Sequence, residues 1–287
     1  MKFKRKSILS LALAGVLLVS AALNRNLNDS AVQVKVRYIF SHGFGSNRWE
    51  KYKYIKTCKI GINCLHSESE QVTSFNYPDV IMLGIPNFAK ANIAQENDVA
   101  HLKSEVEKTI QNNPKEEHVI IGVSRGASTA LNFMALHDNP NVKALIVESP
   151  FDSVATIIDN KRKQLHLEFL SNDFCQRILE NIFRQYKKNG MQPINLVSKI
   201  RKDLPILIVC SKKDSLVPYH STVNLCKKLR ESGHDKVCLL LVEEGKHGLI
   251  IYGKSSNVYQ KGIHAFLAKC GFSHDPELAR QGKEYLR

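Results

Sequence analysis

Three side chains that could together carry out nucleophilic catalysis each follow an apolar run in this sequence. They are Ser124, Asp214 and His247, and the runs that precede them are 118–123, 205–210 and 237–242. Short apolar runs predict buried strands, and the carboxyl ends of parallel strands meet at one edge of a sheet. A serine hydroxyl needs a base within hydrogen-bond reach, and that base needs an acid to orient it. The chain order serine, aspartate, histidine therefore predicts a nucleophile, an acid and a base in a single site.

The segment around Ser124 is where the strand pattern changes to helical spacing. Its sequence is Gly-Val-Ser-Arg-Gly over residues 122–126, and apolar residues recur at helical intervals over 127–136. A sharp turn from strand to helix lifts a serine out of the backbone, and the close approach of the two elements requires small neighbours such as Gly122 and Ala127. Glycine and serine are also common in ordinary turns, so the flanking strand and helix patterns carry this prediction.

Other residues compete for the roles of acid and base. Asp214 precedes a Ser-Leu-Val-Pro turn, where aspartate is also favoured as a capping residue. Glu148 and Asp152 follow the preceding strand pattern and are the alternative acids. His42 is the main competitor as base, but it precedes the serine and lies in a glycine-rich loop that suits another role. We therefore expect Asp214 and His247 to complete the site.

Strand and helix patterns alternate along most of the chain. Apolar runs that predict strands occupy 32–40, 72–77, 118–123, 142–147, 205–210 and 237–242. Helical spacing occupies 92–111, 127–136, 221–232 and 257–270. This alternation predicts an α/β fold with a mostly parallel, doubly wound sheet. The stretch 151–201 interrupts the alternation with basic residues, few glycines and helical spacing, so we expect a helical cap insertion there.

The first 24 residues have the layout of a secretory signal. A basic start, Lys2 to Lys6, precedes an almost wholly apolar stretch from Ile8 to Leu23. That stretch is short for a full membrane span, which needs about 20 apolar residues. We therefore expect export to the periplasm or the outside of the cell of a single domain over 32–287. An uncleaved membrane anchor over 1–24 is the alternative.

The composition predicts one sizeable core and a basic surface. The chain has 287 residues, 43% of them hydrophobic, and 41 basic against 27 acidic residues give a formal net charge of +14. This charge favours contact with anionic substrates or membrane surfaces, although solubility and overall composition are the commoner explanation. No nucleic-acid-binding motif accompanies the charge, so no nucleic-acid partner is expected.

Seven cysteines leave the redox compartment open. Cys210 and Cys238 lie inside apolar runs, which suits small core residues. Cys58 and Cys64 lie in one loop and could pair in an oxidising compartment. The sequence contains no Cys-x-x-Cys motif, so neither a zinc site nor a thioredoxin-type site is predicted.

Across residues 32–270 the chain resembles the α/β-hydrolase family. The motifs Gly-Val-Ser-Arg-Gly, Glu-Ser-Pro-Phe and Lys-Lys-Asp-x-x-Val-Pro resemble the serine-hydrolase branch that includes Bem46-like and prolyl-oligopeptidase-like proteins. The resemblance implies an α/β-hydrolase fold in which Ser124 is the nucleophile, Asp214 the acid and His247 the base.

The same resemblance implies an oxyanion hole. The segment His-Gly-Phe-Gly at 42–45 resembles the family's oxyanion loop, so that the backbone N–H groups of Phe44 and Arg125 would stabilise the developing negative charge. The Arg125 side chain could contact a substrate carboxylate or phosphate, but we expect a solvated residue at the helix start. After 1–24 only one strand pattern precedes the loop, so the family's usual first hairpin is expected to be absent or much reduced.

These features predict a serine hydrolase that cleaves an ester, thioester or amide of a small molecule or peptide through an acyl-enzyme. The chemistry needs neither a metal nor an organic cofactor. An acyltransferase or serine peptidase with the same residues is the alternative, and a non-catalytic binding module is disfavoured because all three residues are present. Apolar residues of the insertion could line an acyl site, although packing onto the sheet is the commoner role: Phe151, Leu165, Leu167, Phe169 and Phe174. The oligomeric state is left open.

Overall fold

The computed structural model describes residues 35–58, 71–82 and 85–287. The predicted signal segment 1–24 and Cys64 lie outside these described residues, as does the chain before Lys35 that would hold an additional first hairpin. Cys58, which could pair with Cys64 in an oxidising compartment, is buried, and the pairing stays a prediction.

Eight strands lie within the described part of the chain. They are β1 Val36–Ser41, β2 Val72–Ser74, β3 Val80–Met82, β4 Ile85–Pro86, β5 Glu117–Val123, β6 Val142–Glu148, β7 Ile206–Ser211 and β8 Val237–Val242. Six of them form one sheet in the order β2-β1-β5-β6-β7-β8, and every neighbouring pair in it is parallel. The remaining two, β3 and β4, form a small antiparallel hairpin that the sequence patterns did not predict.

Nine α-helices connect and cover these strands in the described residues. They are α1 Lys51–Cys58, α2 Glu96–Asn112, α3 Arg125–His137, α4 Val154–Gln164, α5 Asn172–Ile182, α6 Pro193–Leu196, α7 Tyr219–Glu231, α8 Ser256–Lys269 and α9 Pro276–Gly282. The helical patterns at 92–111, 127–136, 221–232 and 257–270 correspond to α2, α3, α7 and α8. The short helix α9 near the end of the chain was not predicted.

The sheet is covered on both faces. One apolar cluster packs α2, α3 and α7 on one side, and a second packs α1 and α8 on the other. All six residues of β7 are buried, as expected for a parallel strand with helices on both faces. The predicted α/β fold with a doubly wound, mostly parallel sheet is therefore confirmed.

The stretch 151–201 contains α4, α5 and α6 and connects the adjacent strands β6 and β7. Serine side chains cap its two longer helices: Ser153 accepts the Thr156 N–H, and Ser171 accepts the Phe174 N–H. These helices bury little of their own surface, since only Val154 of α4 and no residue of α5 is fully buried. No helix of the described residues is long and apolar enough to cross a membrane.

Candidate active site

Ser124 lies in a strained turn between β5 and α3. Its backbone has φ 52° and ψ −114°, and non-glycine residues held in such sparsely populated regions cost about 1–3 kcal/mol each. The elements on either side approach closely. A Cβ on Gly122 would lie 2.6 Å from the Ala127 Cα, and one on Gly126 would lie 2.1 Å from the Ser41 carbonyl oxygen. Glycine is therefore required at both positions, and the turn projects Ser124 at the carboxyl edge of the sheet.

The structure brings Ser124, Asp214 and His247 into one hydrogen-bonded chain. The Oγ of Ser124 lies 2.8 Å from His247 Nε2, and His247 Nδ1 lies 2.8 Å from Asp214 Oδ2. A carboxylate only accepts hydrogen bonds, so Nδ1 must carry the proton and Nε2 of the neutral ring is the acceptor. In this tautomer the ring can take the hydroxyl proton of Ser124.

The two carboxylate oxygens of Asp214 make different contacts. Its Oδ2 faces His247, while its Oδ1 accepts the N–H groups of Leu216 at 2.9 Å and Val217 at 3.0 Å. The residue is buried, with 7% of its surface exposed. The capping role and the contact with the histidine are therefore compatible, because each uses a different carboxylate oxygen.

The loop after β1 lies against Ser124. A Cβ added at Gly43 would be 3.6 Å from the Ser124 Cβ, so the space between this loop and the serine is about that of one methyl group, and Phe44 follows directly. The His42 ring is engaged by backbone groups: Nδ1 donates to the Gly43 carbonyl at 2.8 Å and Nε2 accepts the Tyr77 N–H at 3.3 Å. Burial lowers the pKa of His42, so the neutral ring fixes the loop and does not compete with His247.

The expectation of a solvated Arg125 side chain is wrong. Arg125 is 1% exposed, and its guanidinium donates two hydrogen bonds to Asp79 and two to Asp98 at 2.5–2.8 Å. Burial alone would lower the pKa of Arg125, but the two carboxylates raise it, so the cation is permanent. The side chain therefore binds the protein's own carboxylates instead of water or a substrate anion. Its backbone N–H begins α3, where N–H groups have no partner within the helix.

Neither alternative acid occupies the place of Asp214 in the described residues. The Asp152 carboxylate accepts the Ser221 hydroxyl at 2.7 Å, on the side of α7. The Glu148 carboxylate instead accepts two tyrosine hydroxyls within the core. The sequence pattern placed both carboxyls at the end of β6 but had no means of showing which way each side chain points.

Three phenylalanine rings gather beside the loop after β1. The Phe44 and Phe183 ring centroids lie 5.6 Å apart, those of Phe88 and Phe183 lie 5.3 Å apart, and those of Phe44 and Phe88 lie 6.4 Å apart. Phe44 is 38% exposed and Phe88 is 49% exposed, so the cluster presents an apolar surface to solvent. Sequence reasoning singled out neither Phe88 nor Phe183, although Phe183 belongs to the insertion whose apolar residues could line an acyl site.

The apolar residues singled out in the insertion fall into a buried group and an exposed group. Phe151 is buried and packs against neighbouring segments. Leu165, Phe169 and Phe174 are 62%, 78% and 49% exposed. The expected packing onto the sheet is therefore wrong for these three, because α4, α5 and the turn between them form an outer layer.

Comparisons with known proteins agree with this architecture. The sequence profile described as the prolyl oligopeptidase family matches residues 98–272. The uncharacterized protein YqkD of Bacillus subtilis (strain 168) is 28% identical over 152 residues, which are 52% of this chain and 47% of that protein. The chain thus spans about half the length of this curated relative.

Several solved structures share the fold at low sequence identity. The esterase Pf2001 of Pyrococcus furiosus has a TM-score of 0.60 at 16% identity and covers 83% of both chains. The acylaminoacyl peptidase of Pyrococcus horikoshii has a TM-score of 0.58 at 16% identity and covers 86% of this chain and 38% of that one. MenH from S. aureus has a TM-score of 0.53 at 15% identity, and the match covers 84% of this chain and 96% of that one.

The profile match spans more than half of the chain and includes the segments that carry Ser124, Asp214 and His247. It confirms the predicted resemblance to α/β-hydrolases of the prolyl-oligopeptidase type, while the Bem46-like relationship stays a prediction. The chain belongs to the prolyl oligopeptidase family.

Proposed function

We propose that the protein cleaves an ester, thioester or amide through an acyl-enzyme, with Ser124 as nucleophile, His247 as base and Asp214 as acid. The observation that carries the proposal is the pair of 2.8 Å contacts that His247 makes with Ser124 and Asp214. Contacts of this length are within the range that proton transfer requires. The strained backbone of Ser124 adds support, because such strain concentrates at functional sites.

In the first half-reaction, the Ser124 oxygen attacks the acyl carbon while His247 Nε2 takes the hydroxyl proton. Asp214 stabilises the imidazolium that forms. When the carbon–leaving-group bond breaks, His247 returns the proton to the leaving group. Water then attacks the acyl carbon and gives a proton to His247. The bond between the acyl carbon and Ser124 Oγ breaks, His247 returns the proton to that oxygen, and the water oxygen leaves in the acid product.

The negative charge on the substrate oxygen would be stabilised by the backbone N–H groups of Phe44 and Arg125. The loop that carries Phe44 passes beside Ser124 at Gly43, and the Arg125 N–H is at the start of the helix that begins immediately after the serine. Removing one donor of this kind from an enzyme typically costs about 3–4 kcal/mol of transition-state stabilisation.

An apolar acyl group fits the surroundings of the serine better than a charged one. The cluster of Phe44, Phe88 and Phe183 offers ring surface next to the proposed oxyanion loop. The nearby cation, Arg125, is neutralised by Asp79 and Asp98 and does not offer a binding site for an anion. A peptidase is the second candidate, favoured by the family match and by the likeness to an acylaminoacyl peptidase.

The test compares the purified chain with its Ser124→Ala variant on a short-chain ester and with a fluorophosphonate probe. We expect Ser124→Ala to lower kcat/KM by about 10⁵-fold and to abolish labelling. Ser171→Ala is the matched control, since it removes a serine that caps α5 and should leave both readouts near the wild-type values. Equal rates for wild type and Ser124→Ala, or labelling at another residue, would sink the proposal. Parallel assays on N-acyl amino acid amides separate the esterase from the peptidase.

A further inference from the structure

Glu148 is a buried carboxyl group directly behind the strained serine turn. It is the last residue of β6, and its carbonyl oxygen accepts the Ser124 N–H at 2.8 Å. Val123, the residue before the serine, is its register partner on β5. Only 1% of Glu148 is exposed. Its backbone therefore supports the nucleophile, while its side chain enters the core on the side of α1 and α8.

In the described residues, only one oxygen of the Glu148 carboxyl group accepts hydrogen bonds. The hydroxyls of Tyr54 and Tyr259 both donate to Oε2, at 2.8 Å and 2.9 Å. The other oxygen, Oε1, is buried and has no hydrogen-bond partner among the described residues. An ionised carboxylate with an unpartnered oxygen in the core is costly. A core built only for stability would not need this group, since an apolar residue would fill the same volume.

The charged and titratable groups around Glu148 come from four segments. Tyr54 and Cys58 face it from α1, Tyr259 faces it from α8, Glu50 faces it from the short helix before α1, and His247 faces it from the loop after β8. Both tyrosine hydroxyls have pKa values raised well above the usual range by burial, so they remain donors. Of these groups, His247 is the one that gains a positive charge during the proposed reaction.

Burial raises the pKa of Glu148 to about 7, against the opposing effect of the two tyrosine hydrogen bonds and His247. A carboxyl group that titrates there changes its charge within the pH range in which serine hydrolases work. The Glu148 carbonyl oxygen lies 2.8 Å from the Ser124 nitrogen, and Ser124 Oγ lies 2.8 Å from His247 Nε2, so a single residue separates Glu148 from the ring and a buried charge on its carboxyl group can act on the imidazolium.

We propose that Glu148 is an electrostatic positioning residue of the hydrolase, whose negative charge behind the serine turn stabilises the His247 imidazolium formed when Ser124 attacks. This inference rests on the proposed function, because it requires His247 to be the base. Glu148 touches neither substrate nor reacting atoms, and it acts only through His247. The protonated form, present at lower pH, supplies no such stabilisation, so the rate of attack by Ser124 follows the charge of Glu148.

The test measures the rate of fluorophosphonate labelling of Ser124 from pH 5 to pH 9 in the full chain and in Glu148→Gln. Labelling forms the serine oxygen–phosphorus bond, releases fluoride and passes the hydroxyl proton to His247. Glutamine keeps an acceptor for the two tyrosines but carries no charge. The wild-type rate divided by the variant rate should be near one at pH 5 and rise to about three- to tenfold at pH 9. A purely structural role would give a ratio that does not change with pH.

Two further variants should shift the pH at which Glu148 ionises. Tyr54→Phe and Tyr259→Phe each remove a donor that favours the ionised carboxylate, so each raises the pKa of Glu148. In the pH profile of each variant's own labelling rate, the midpoint of the rise that follows Glu148 ionisation should lie about half to one pH unit above its wild-type position. These variants keep the proposal falsifiable even if Glu148→Gln folds poorly. Glu277→Gln on α9 is the control, because Glu277 is exposed, is paired with Arg280 and should leave the ratio at one throughout.

The outcomes separate the two proposals. A wild-type chain that the probe does not label at Ser124 refutes the proposed function and the inference with it. Normal labelling with a pH-independent ratio refutes the inference alone. A ratio below one at high pH also overturns it, because the carboxylate would then act mainly against the oxyanion. A rising ratio with an upward shift in the tyrosine variants supports it.

Discussion

Ser124 and Arg125 are neighbours in the chain, yet their side chains enter opposite environments. Ser124 joins His247 and Asp214 in a site whose histidine remains partly exposed, at 18% of its side chain. Arg125 enters a closed cluster with Asp79 and Asp98, in which every charged side chain is 1–2% exposed. The first site is open to water, whereas the second is closed, and its one cation faces two carboxylates of the same protein.

The contrast teaches what a short motif specifies. The Gly-x-Ser-x-Gly turn fixes the backbone of Ser124 through steric contacts within a few residues, so its position follows from local sequence. Arg125 obtains its partners from the segment before β3 and from α2, 46 and 27 residues earlier in the chain. Its environment is therefore decided by tertiary structure, and a rule that places charged helix-start residues in water fails there.

After Ser124→Ala, the largest expected effect concerns Asp214, the proposed acid of the open site. Asp214→Asn keeps the size of the side chain but removes the charge that stabilises the His247 imidazolium, and its amide can favour the wrong histidine tautomer. We expect kcat/KM on a short-chain ester to fall by about 10⁴-fold with little change in KM. Steady-state kinetics measure this directly.

Asp152→Asn is the matched control for that substitution. Asp152 lies between β6 and α4 and accepts the Ser221 hydroxyl instead of a ring nitrogen of His247. Its replacement should change kcat/KM by less than about tenfold. If Asp152→Asn proved as damaging as Asp214→Asn, the acid would have been assigned to the wrong strand end.

Substitutions in the closed cluster of Arg125, Asp79 and Asp98 should lower the stability of the protein. Arg125→Met leaves two buried carboxylates without their cation, and breaking a buried ion pair in this way costs about 3–5 kcal/mol. We expect the free energy of unfolding in urea to fall by about that amount. In the open site, Ser124→Ala should change stability far less, since it removes one partly solvated contact.

A compensated variant distinguishes charge from packing in this cluster. Arg125→Met combined with Asp79→Asn and Asp98→Asn removes all three charges while retaining acceptors for the nearby N–H groups, such as that of Ala94. Most of the lost stability should return. If the triple variant were as unstable as Arg125→Met, the loss would come from the missing guanidinium contacts with Tyr77 and its surroundings.

The strand and helix patterns predicted the fold because they depend on local periodicity. The runs before Ser124, Asp214 and His247 form β5, β7 and β8 of one parallel sheet. The three residues therefore lie at the same edge of that sheet, as predicted. Glu148 was identified as a carboxyl at a strand end, but its direction depends on α1 and α8, whose tyrosines are 94 and 111 residues away. No pattern in the sequence encodes such a contact.

The insertion shows the same limit. Its helical character was predictable from spacing, and α4 and α5 lie within the expected range. Which of its apolar residues would approach the serine was not, because that depends on how the helices dock. Phe183, at the end of α5, reaches the loop after β1, whereas the earlier Phe169 remains 78% exposed.

The smallest expected effect lies where the open and closed sites meet. The Phe44 ring lies near Arg125, whose Cζ is 5.8 Å from its centroid, and it also contacts Phe88 and Phe183. If this cluster receives the acyl group, Phe88→Ala should lower kcat/KM by about tenfold for an octanoate ester, since burial of ring and chain surface is lost. The acetate ester, too short to cover the cluster, should change by less than about twofold.

Phe174→Ala is the matched control for chain-length preference, because Phe174 is as exposed as Phe88, at 49%, and lies outside the three-ring cluster of the described residues. It should lower neither rate appreciably, and the ratio of octanoate to acetate kcat/KM should stay at the wild-type value. A drop in that ratio for Phe174→Ala but not for Phe88→Ala would place the acyl group on α5 instead of beside Phe44. Equal drops in the ratio for both variants would mean that the apolar surface extends from the open site along the insertion. The open site and the insertion would then bind the same substrate.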